Sequence, residues 1–308
     1  MGGTHHLPLA FAAIVLAGCI FGPPRWVTHP EGVRIERGIV FAEADGDPLK
    51  LDLYVPEEAA GPLPALVWIF GGGWRVGDRS KIVVAPIATR GYVVASIDYR
   101  LSGEAKFPAQ IHDCKAAIRF LRANAARYGI DPERIAVCGP SAGGHLAALL
   151  GTGNDHPRLE GEIGTTGVSS RVQAVVALFP PTELTSLYEA DVDFKMHYVI
   201  RKLLDGRPEE KPELAALASP VTHVSRDDPP FLFVHGQKDP IVPAAQSRLM
   251  HEVLRAAGVH SELHVLEDAG HGNSVLRRQD VQGWINDFLD RQLKNTVSET
   301  KRTDSANR

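Results

Sequence analysis

A serine set among small residues is the first feature of the chain that could do chemistry. Gly139-Pro140-Ser141-Ala142-Gly143 is a G-x-S-x-G pattern, which also arises by chance and acquires meaning only from its surroundings. It follows an apolar run directly and precedes an alanine-rich segment, so a strand, a sharp turn and a helix are predicted in that order. In this setting the serine stands above the sheet and the helix N-terminus directs positive partial charge toward it. Ser141 is therefore a candidate nucleophile.

A serine hydroxyl needs a base to take its proton, and that base needs an acid to orient it. His271 lies between two glycines after the last predicted strand, and Asp239 follows the strand before it. The chain order Ser…Asp…His fits such a site. Asp268 and Glu267 are alternative acids, although their closeness to His271 favours a role in shaping its loop. Asp239 could instead be a helix N-cap or a turn residue before Pro240.

Three consecutive glycines follow the apolar run Leu63–Phe70. Attack of a serine on a carbonyl builds negative charge on oxygen, which bare backbone N–H groups stabilise well. Glycines allow the backbone to approach closely, so Gly72 and Gly73, with Ala142 after the nucleophile, are the candidate donors. The alternative is a plain glycine turn.

The elements that must position these residues alternate between strand and helix. Continuous apolar runs predict strands covered on both faces, and helical spacing follows several of them. A turn at Asp45-Gly46-Asp47-Pro48 predicts an antiparallel hairpin at one edge. The fold class is therefore α/β, with a mostly parallel central sheet and helices on both faces. Ligands bind such sheets beyond the carboxyl ends of the strands, where the candidate residues lie.

The two ends of the chain differ from this domain. Residues 1–18 have the apolar core of an export signal, and Leu16-Ala17-Gly18-Cys19 resembles a bacterial lipobox, although the first residues lack Lys and Arg. We therefore expect an exported protein with a lipid anchor at Cys19, or alternatively a secreted one. Residues 19–30 are predicted as a tether, 31–294 as one domain and 295–308 as a polar disordered tail.

Composition excludes some function classes. The net charge of −4 and the lack of a long basic run argue against nucleic acid as a partner. The predicted chemistry requires no metal and no cofactor, and the oligomeric state is open. Cys114 and Cys138 could pair in an oxidising compartment, but small buried thiols are favoured.

Five segments carry a family resemblance that covers about residues 48–293: "FGGGW", "DYRL", "GIDPERIAVCGPSAGGHLA", "HGQKDPIVP" and "AGHG". The chain resembles the α/β-hydrolase serine esterases, close to the acetyl esterase, hormone-sensitive-lipase-like and bacterial feruloyl esterase groups. The resemblance implies an α/β-hydrolase fold with a small cap insertion at about 182–219. It departs at Phe70, where the family usually has a histidine that helps to hold the glycine loop.

Several further residues have weaker predictions. Trp74 could wall a substrate pocket or pack in the core, while Tyr188, Phe194 and Tyr198 could line the pocket or form the cap's own core. His145 is predicted to have a helix-packing role rather than to touch substrate. An ion pair between Arg75 and Asp78 is predicted to brace the glycine loop.

Together these features predict a carboxylic ester hydrolase that forms an acyl-enzyme at Ser141, on short-chain or polysaccharide-linked acetyl or feruloyl esters. An amidase, formamidase or peptidase could use the same residues. A non-catalytic surface lipoprotein is the third alternative, although such proteins usually lose one of the three side chains, and all three are present here.

Overall fold

Eight strands form the centre of the protein in the computed structural model, which describes residues 30–154 and 156–294. The strands are β1 (Val33–Ala44), β2 (Asp47–Pro56), β3 (Leu63–Ile69), β4 (Val93–Ile97), β5 (Ile130–Pro140), β6 (Ala174–Leu178), β7 (Phe231–Gly236) and β8 (Ser261–Leu266). They make one sheet in the order β1-β2-β4-β3-β5-β6-β7-β8. The six strands from β4 to β8 in this order are parallel, while β1 pairs antiparallel with β2 and β2 with β4. The predicted mostly parallel sheet is confirmed.

The edge hairpin forms where the turn sequence predicts it. Asp45 and Gly46 both have positive φ, 54° and 91°, which matches the twist that a tight two-residue turn requires. The register pairs Ala44 with Asp47 on either side of this turn. The hairpin therefore caps one edge of the sheet with antiparallel strands.

The helices cover both faces of the sheet. They are α1 (Ala109–Ala123), α2 (Ala125–Tyr128), α3 (Ala142–Thr152), α4 (Pro157–Glu160), α5 (Leu184–Glu189), α6 (Phe194–Leu204), α7 (Pro212–Leu217), α8 (Ala245–Ala256), α9 (Asn273–Leu276) and α10 (Gln279–Leu293). Helices α1, α3 and α8 contribute to the core on one face, and α10 with the 3₁₀ helix 85–90 to the core on the other.

Strand β3 shows why a continuous apolar run was needed. Val67 and Ile69 point into one core, while Leu66 and Trp68 point into the other, and all four are at most 1% exposed. A strand buried on both faces has no polar side to offer water, so alternation disappears from its sequence.

The segment between β6 and β7 contains α5, α6, α7 and two 3₁₀ helices, at 208–210 and 220–223. Helix α6 buries Met196, Ile200, Leu203 and Leu204 on one face. The segment is tied to the sheet's helices by Thr182, whose N–H donates to Oε1 of Gln246 at 2.8 Å. We call residues 182–223 the cap segment.

The described cysteines are thiols without a disulfide. Cys114 and Cys138 are both buried and free, as favoured from the sequence. Burial raises the pKa of each thiol well above its usual value. They therefore behave as small apolar residues of the core.

Candidate active site

Ser141 stands at the turn between β5 and α3. Its φ of 52° lies in a region that non-glycine residues rarely adopt, which costs energy and is common where a side chain is held for function. The turn needs glycine at 143, because a Cβ there would lie 2.0 Å from the carbonyl oxygen of Ile69 in β3. The small residues of the G-x-S-x-G pattern thus let α3 start directly against the sheet.

The loops after β7 and β8 bring His271 and Asp239 to this serine. The N–H groups of Gln237 and Lys238 donate to the carbonyls of Leu266 and Ala269, at 2.8 and 2.9 Å, so the two loops are fastened to each other. His271 Nε2 lies 3.0 Å from Ser141 Oγ, and His271 Nδ1 lies 2.6 Å from Asp239 Oδ2. Since the ionised carboxylate can only accept, the proton of neutral His271 sits on Nδ1 and leaves Nε2 free to accept from the serine.

Asp239 is held as a charged acceptor. Its Oδ1 accepts the N–H groups of Ile241 and Val242, each at 2.9 Å. Burial alone would raise its pKa, but hydrogen bonds from His235 and His271 outweigh that effect and hold the pKa well below its usual range. The carboxylate is therefore ionised at neutral pH and can stabilise a positive charge on His271.

The alternative acids lie elsewhere. Asp268 pairs with Arg278 at 3.0 Å on the surface, and Glu267 is exposed. The structure therefore brings Ser141, His271 and Asp239 together and leaves the other two carboxylates outside the chain of hydrogen bonds.

The imidazole of His271 also packs against an aromatic ring. The ring of Phe179, which follows β6, meets His271 edge-on with centroids 4.6 Å apart.

The glycine loop lies against the serine. A Cβ on Gly71 would be 2.7 Å from the carbonyl oxygen of Pro140 and 3.5 Å from Cβ of Ser141. Within residues 30–154 and 156–294, the N–H groups of Gly72, Gly73 and Ala142 have no hydrogen-bond acceptor. Unpaired backbone donors beside a serine can bind a developing oxyanion.

Phe70, which stands where a histidine is usual, is held by Tyr99. The two rings stack at 4.3 Å with an interplanar angle of 14°, and the Tyr99 hydroxyl donates to the carbonyl oxygen of Phe70 at 3.0 Å. Both side chains are buried. The tyrosine of "DYRL" thus holds the residue that precedes the three glycines.

Trp74 does not line an open pocket in this structure. It is 0% exposed, and its indole N–H donates to His145 Nδ1 at 3.1 Å. Of the two alternatives drawn from the sequence, core packing holds, because Trp74 is a member of the buried core. His145 packs inside the protein as predicted, where it joins its helix to Trp74 and to Ala218.

The predicted ion pair between Arg75 and Asp78 is wrong. Asp78 caps the 3₁₀ helix 79–81 by accepting the N–H of Ser80 at 2.8 Å. Arg75 instead donates to the hydroxyl of Tyr198 and lies 4.9 Å from the centre of its ring. The Asp78 carboxylate thus bonds to the backbone of its own turn, while the Arg75 guanidinium bonds to a cap residue 123 positions away.

The three aromatic residues predicted in the cap lie on α5 and α6. Phe194 and Tyr198 are 75% and 44% exposed, one helical turn apart, while Tyr188 is half-buried against His197. Helix α6 bridges the site, because the Asp193 N–H reaches the Pro240 carbonyl at 3.4 Å and Val199 lies against Gly73. Phe194 and Tyr198 are thus not the cap's core.

One further side chain at the site is His235, which lies near the end of β7. It is fully buried, with Nε2 2.8 Å from the carbonyl oxygen of Val242 and 3.4 Å from Asp239 Oδ2. The signal for it is the spacing of four residues from Asp239 across a tight loop. It adds a second imidazole to the surroundings of the carboxylate.

Some predictions concern residues that the structure does not describe. The signal at 1–18, Cys19, most of the tether and the tail at 295–308 lie outside the described residues. Among those that are described, no helix has the length and apolar character needed to span a membrane. The same residues contain no group of three or more His, Cys, Asp or Glu side chains placed to hold a metal ion.

Comparison with known proteins identifies the family. The BD-FAE family matches residues 51–254, and a TAP-like protein family matches residues 213–298. Esterase LipC of Mycobacterium tuberculosis is 37% identical over 224 residues, covering 70% of this chain and 54% of LipC. The chain thus spans about half the length of the curated relatives that it matches.

Solved structures agree in fold. A truncated carbohydrate esterase from gut microbiota has a TM-score of 0.78 at 32% identity, covering 85% of this chain and 96% of that one. Thermogutta terrifontis esterase 2 phosphorylated by paraoxon has a TM-score of 0.68 at 30% identity, covering 85% and 95%. The predicted α/β-hydrolase fold is confirmed by these neighbours.

Proposed function

This chain belongs to the BD-FAE family of α/β-hydrolases, and from that premise we propose that it is a carboxylic ester hydrolase acting through Ser141, His271 and Asp239. The observation that carries the proposal is the unbroken hydrogen-bond chain from Ser141 Oγ through His271 to Asp239, with unpaired backbone N–H groups beside it. This combination supplies a nucleophile, a base, an orienting acid and an oxyanion site.

The reaction proceeds through an acyl-enzyme. Ser141 Oγ attacks the ester carbonyl carbon as His271 Nε2 takes its proton, and the C=O electrons move onto oxygen. The tetrahedral intermediate collapses, the C–O bond to the alcohol breaks, and His271 returns the proton to that alcohol. Water then attacks the acyl-enzyme by the same route, releasing the carboxylic acid and free Ser141.

Gly72, Gly73 and Ala142 stabilise the oxyanion in both halves of this cycle. Their N–H groups come from the loop after β3 and from the first residue of α3, on two sides of Ser141. Removing one oxyanion donor costs about 3–4 kcal/mol of transition-state stabilisation in a well-studied serine protease. The positive end of the α3 dipole adds to the same effect.

The substrates are short-chain esters or acetyl and feruloyl esters linked to polysaccharide. Support comes from the neighbour described as a carbohydrate esterase and from the exposed aromatic rings of Phe194 and Tyr198 on the helix that bridges the site. An exposed aromatic side chain offers an apolar face to the remote part of a substrate.

The proposal is tested with Ser141→Ala and a panel of p-nitrophenyl esters, methyl ferulate and acetylated xylan. Loss of the nucleophile lowers kcat by about 10⁵–10⁶-fold in a serine hydrolase. Ser80→Ala, which removes an exposed hydroxyl outside the hydrogen-bond chain, serves as the matched control. Wild-type turnover by folded Ser141→Ala would overturn the mechanism.

Paraoxon provides a second readout, since it phosphorylates the Thermogutta esterase 2 neighbour. Treatment should inactivate the wild-type protein and add one diethylphosphoryl group to Ser141, as seen by mass spectrometry of the peptide. Matched anilides of each acyl group then measure amide against ester preference. Faster hydrolysis of the anilides would assign the site to an amidase instead.

Export with a lipid anchor at Cys19 is part of the same proposal, supported by the lipobox-like tetrapeptide that ends in this cysteine. Metabolic labelling with a fatty acid should be lost in Cys19→Ala. Equal labelling of both proteins would refute the anchor and leave a secreted enzyme as the alternative.

A further inference from the structure

A buried hydrogen-bond bridge connects the glycine loop to the cap segment. Trp74 Nε1–H donates to His145 Nδ1 at 3.1 Å, and His145 Nε2–H donates to the carbonyl oxygen of Ala218 at 2.6 Å. All three residues are 0% exposed. Water therefore cannot replace either bond when it is broken.

The proton positions in the bridge follow from the chemistry of its ends. An indole N–H can only donate and a carbonyl can only accept, so neutral His145 carries its proton on Nε2 and accepts at Nδ1. Burial lowers the pKa of His145 to about 4, so the ring is neutral at the pH where esterases are assayed. The bridge thus has one direction, from the loop to the cap.

The bridge joins three elements that meet at the candidate site. Trp74 follows Gly73 directly, and His145 lies on α3 with its backbone N–H donating to the Ser141 carbonyl at 2.9 Å. Ala218 lies in the cap segment, between α7 and the 3₁₀ helix 220–223. One imidazole therefore ties the oxyanion donors to the nucleophile's own helix and to the cap.

Trp74 also has a backbone that needs support. Its φ is 55°, an unfavourable conformation for a bulky residue, which persists only when the surroundings impose it. Its carbonyl accepts the Ser102 N–H at 2.6 Å, and its indole is fixed by His145. Releasing the indole would let this backbone relax and turn the peptide groups next to Gly73.

We propose that His145 is a positioning residue for the esterase reaction, which holds the Gly72 and Gly73 donors in line with Ser141 through Trp74 and couples their placement to the cap segment. The proposal rests on the proposed function, because it assigns the glycine loop a role in the transition state. It gives the cap a part in aligning the oxyanion site in addition to any contact with substrate.

Two substitutions remove the hydrogen bond between Trp74 and His145, one at the donor and one at the acceptor. Trp74→Phe keeps a large ring but removes the N–H donor. His145→Gln keeps an amide N–H near the position of Nε2, for Ala218, but has no acceptor at Nδ1. Because the lost alignment acts in the transition state, each should lower kcat for p-nitrophenyl acetate about 10- to 100-fold with KM changed less than about twofold. The double variant should lose no more than the worse single variant, since both remove one interaction.

Thr152→Val is the matched control for stability. Thr152 is also buried on α3, and its hydroxyl lies 3.1 Å from the carbonyl of Pro220 in the cap segment, so its loss weakens the same interface without contacting Trp74. It should lower the unfolding temperature comparably and leave kcat near that of the wild type. A kcat loss in Thr152→Val equal to that in His145→Gln would reduce the bridge to a packing contact and overturn the proposal.

The outcomes separate the two proposals. If Ser141→Ala is inactive while folded Trp74→Phe and His145→Gln keep wild-type kcat, the positioning role fails and the esterase assignment stands. If Ser141→Ala retains wild-type turnover, the esterase mechanism itself fails. Should one of the two bridge variants not fold, the variant at the other end decides, because both remove the same hydrogen bond.

Discussion

The two halves of the candidate site are built by different means. One half contains Ser141, His271 and Asp239, which are joined by side-chain hydrogen bonds. Hydrogen bonds from its neighbours keep the Asp239 carboxylate ionised, so we call this the charged half. In the part of the chain that the structure describes, no charged side chain forms a hydrogen bond to the glycine loop opposite them. Its anchors are neutral: the stacked ring and hydroxyl of Tyr99 at Phe70, and the imidazole of His145 at Trp74.

This difference follows from what each half must present. A base and its orienting acid act through single atoms at the ends of side chains, so a short hydrogen-bonded chain is enough to place them. Oxyanion donors are backbone groups, so their direction depends on several consecutive φ and ψ values. Packing and neutral hydrogen bonds fix a backbone without putting a competing charge next to the oxyanion.

The largest effect in this comparison is expected from Asp239→Asn. The amide keeps the size of the carboxylate but loses its charge, so it stabilises neither the reactive tautomer of His271 nor its protonated form. In a well-studied serine protease the equivalent change lowers kcat about 10⁴-fold, and we expect a similar loss in steady-state ester hydrolysis here.

Asp268→Asn is the control for that prediction, because Asp268 is one of the two acids that lie close to His271 in sequence. It lies on the surface with Arg278, so kcat should change less than about twofold. Equal losses in the two variants would mean that the role of orienting His271 has been assigned to the wrong carboxylate.

In the neutral half, which is the glycine loop with its anchors at Phe70 and Trp74, we expect Gly72→Ala to lower kcat more than Gly73→Ala. At Gly72, φ is 124° and a Cβ would lie 2.0 Å from the carbonyl oxygen of Val76, so the loop must move. At Gly73, φ is 60° and a Cβ would meet the methyl groups of Val199 at 3.1 Å, a contact that a side chain can relieve. We expect a loss of about 10²–10³-fold in kcat for Gly72→Ala and about tenfold for Gly73→Ala.

Circular dichroism and thermal unfolding of both glycine variants check that the sheet is intact. A Gly73→Ala variant that is less active than Gly72→Ala would reverse the ranking drawn from the two contacts. It would then indicate that Val199 on α6, rather than the Val76 turn, limits the loop.

The charged half of the site was largely predictable from the sequence. Ser141, Asp239 and His271 carry reactive side chains directly after apolar strands, and the parallel sheet brings those strand ends to one edge. The edge hairpin and the eight strands were predictable for the same reason: turn residues and apolar runs are local signals.

The supports of the neutral half were not predictable in the same way. Trp74 and His145 lie 71 positions apart, and nothing in the local pattern of either names the other. The Arg75–Asp78 pair failed because closeness in sequence was taken for contact, whereas Arg75 reaches a cap residue. Long-range packing decides such pairs, and a single sequence does not show it.

The smallest expected effect is on the pH dependence of the unfolding free energy, to which His145 and Asp239 contribute in different pH ranges. The pKa of His145 falls from 6.5 to about 4 on folding, so the unfolded chain binds a proton in this range while the folded protein does not. The contribution to stability is complete above about pH 6.5 and is lost as the pH falls toward about 4, by about 3 kcal/mol at most. Asp239, whose pKa is depressed below 3.8, loses its contribution only in more acidic solution.

The unfolding free energy from urea titrations between about pH 7 and about pH 4 should therefore fall less steeply in His145→Gln than in the wild type, since the other titrating groups are common to both proteins and cancel. Equal slopes would show that His145 is already charged in the folded protein, and that the loop is not held by a neutral acceptor.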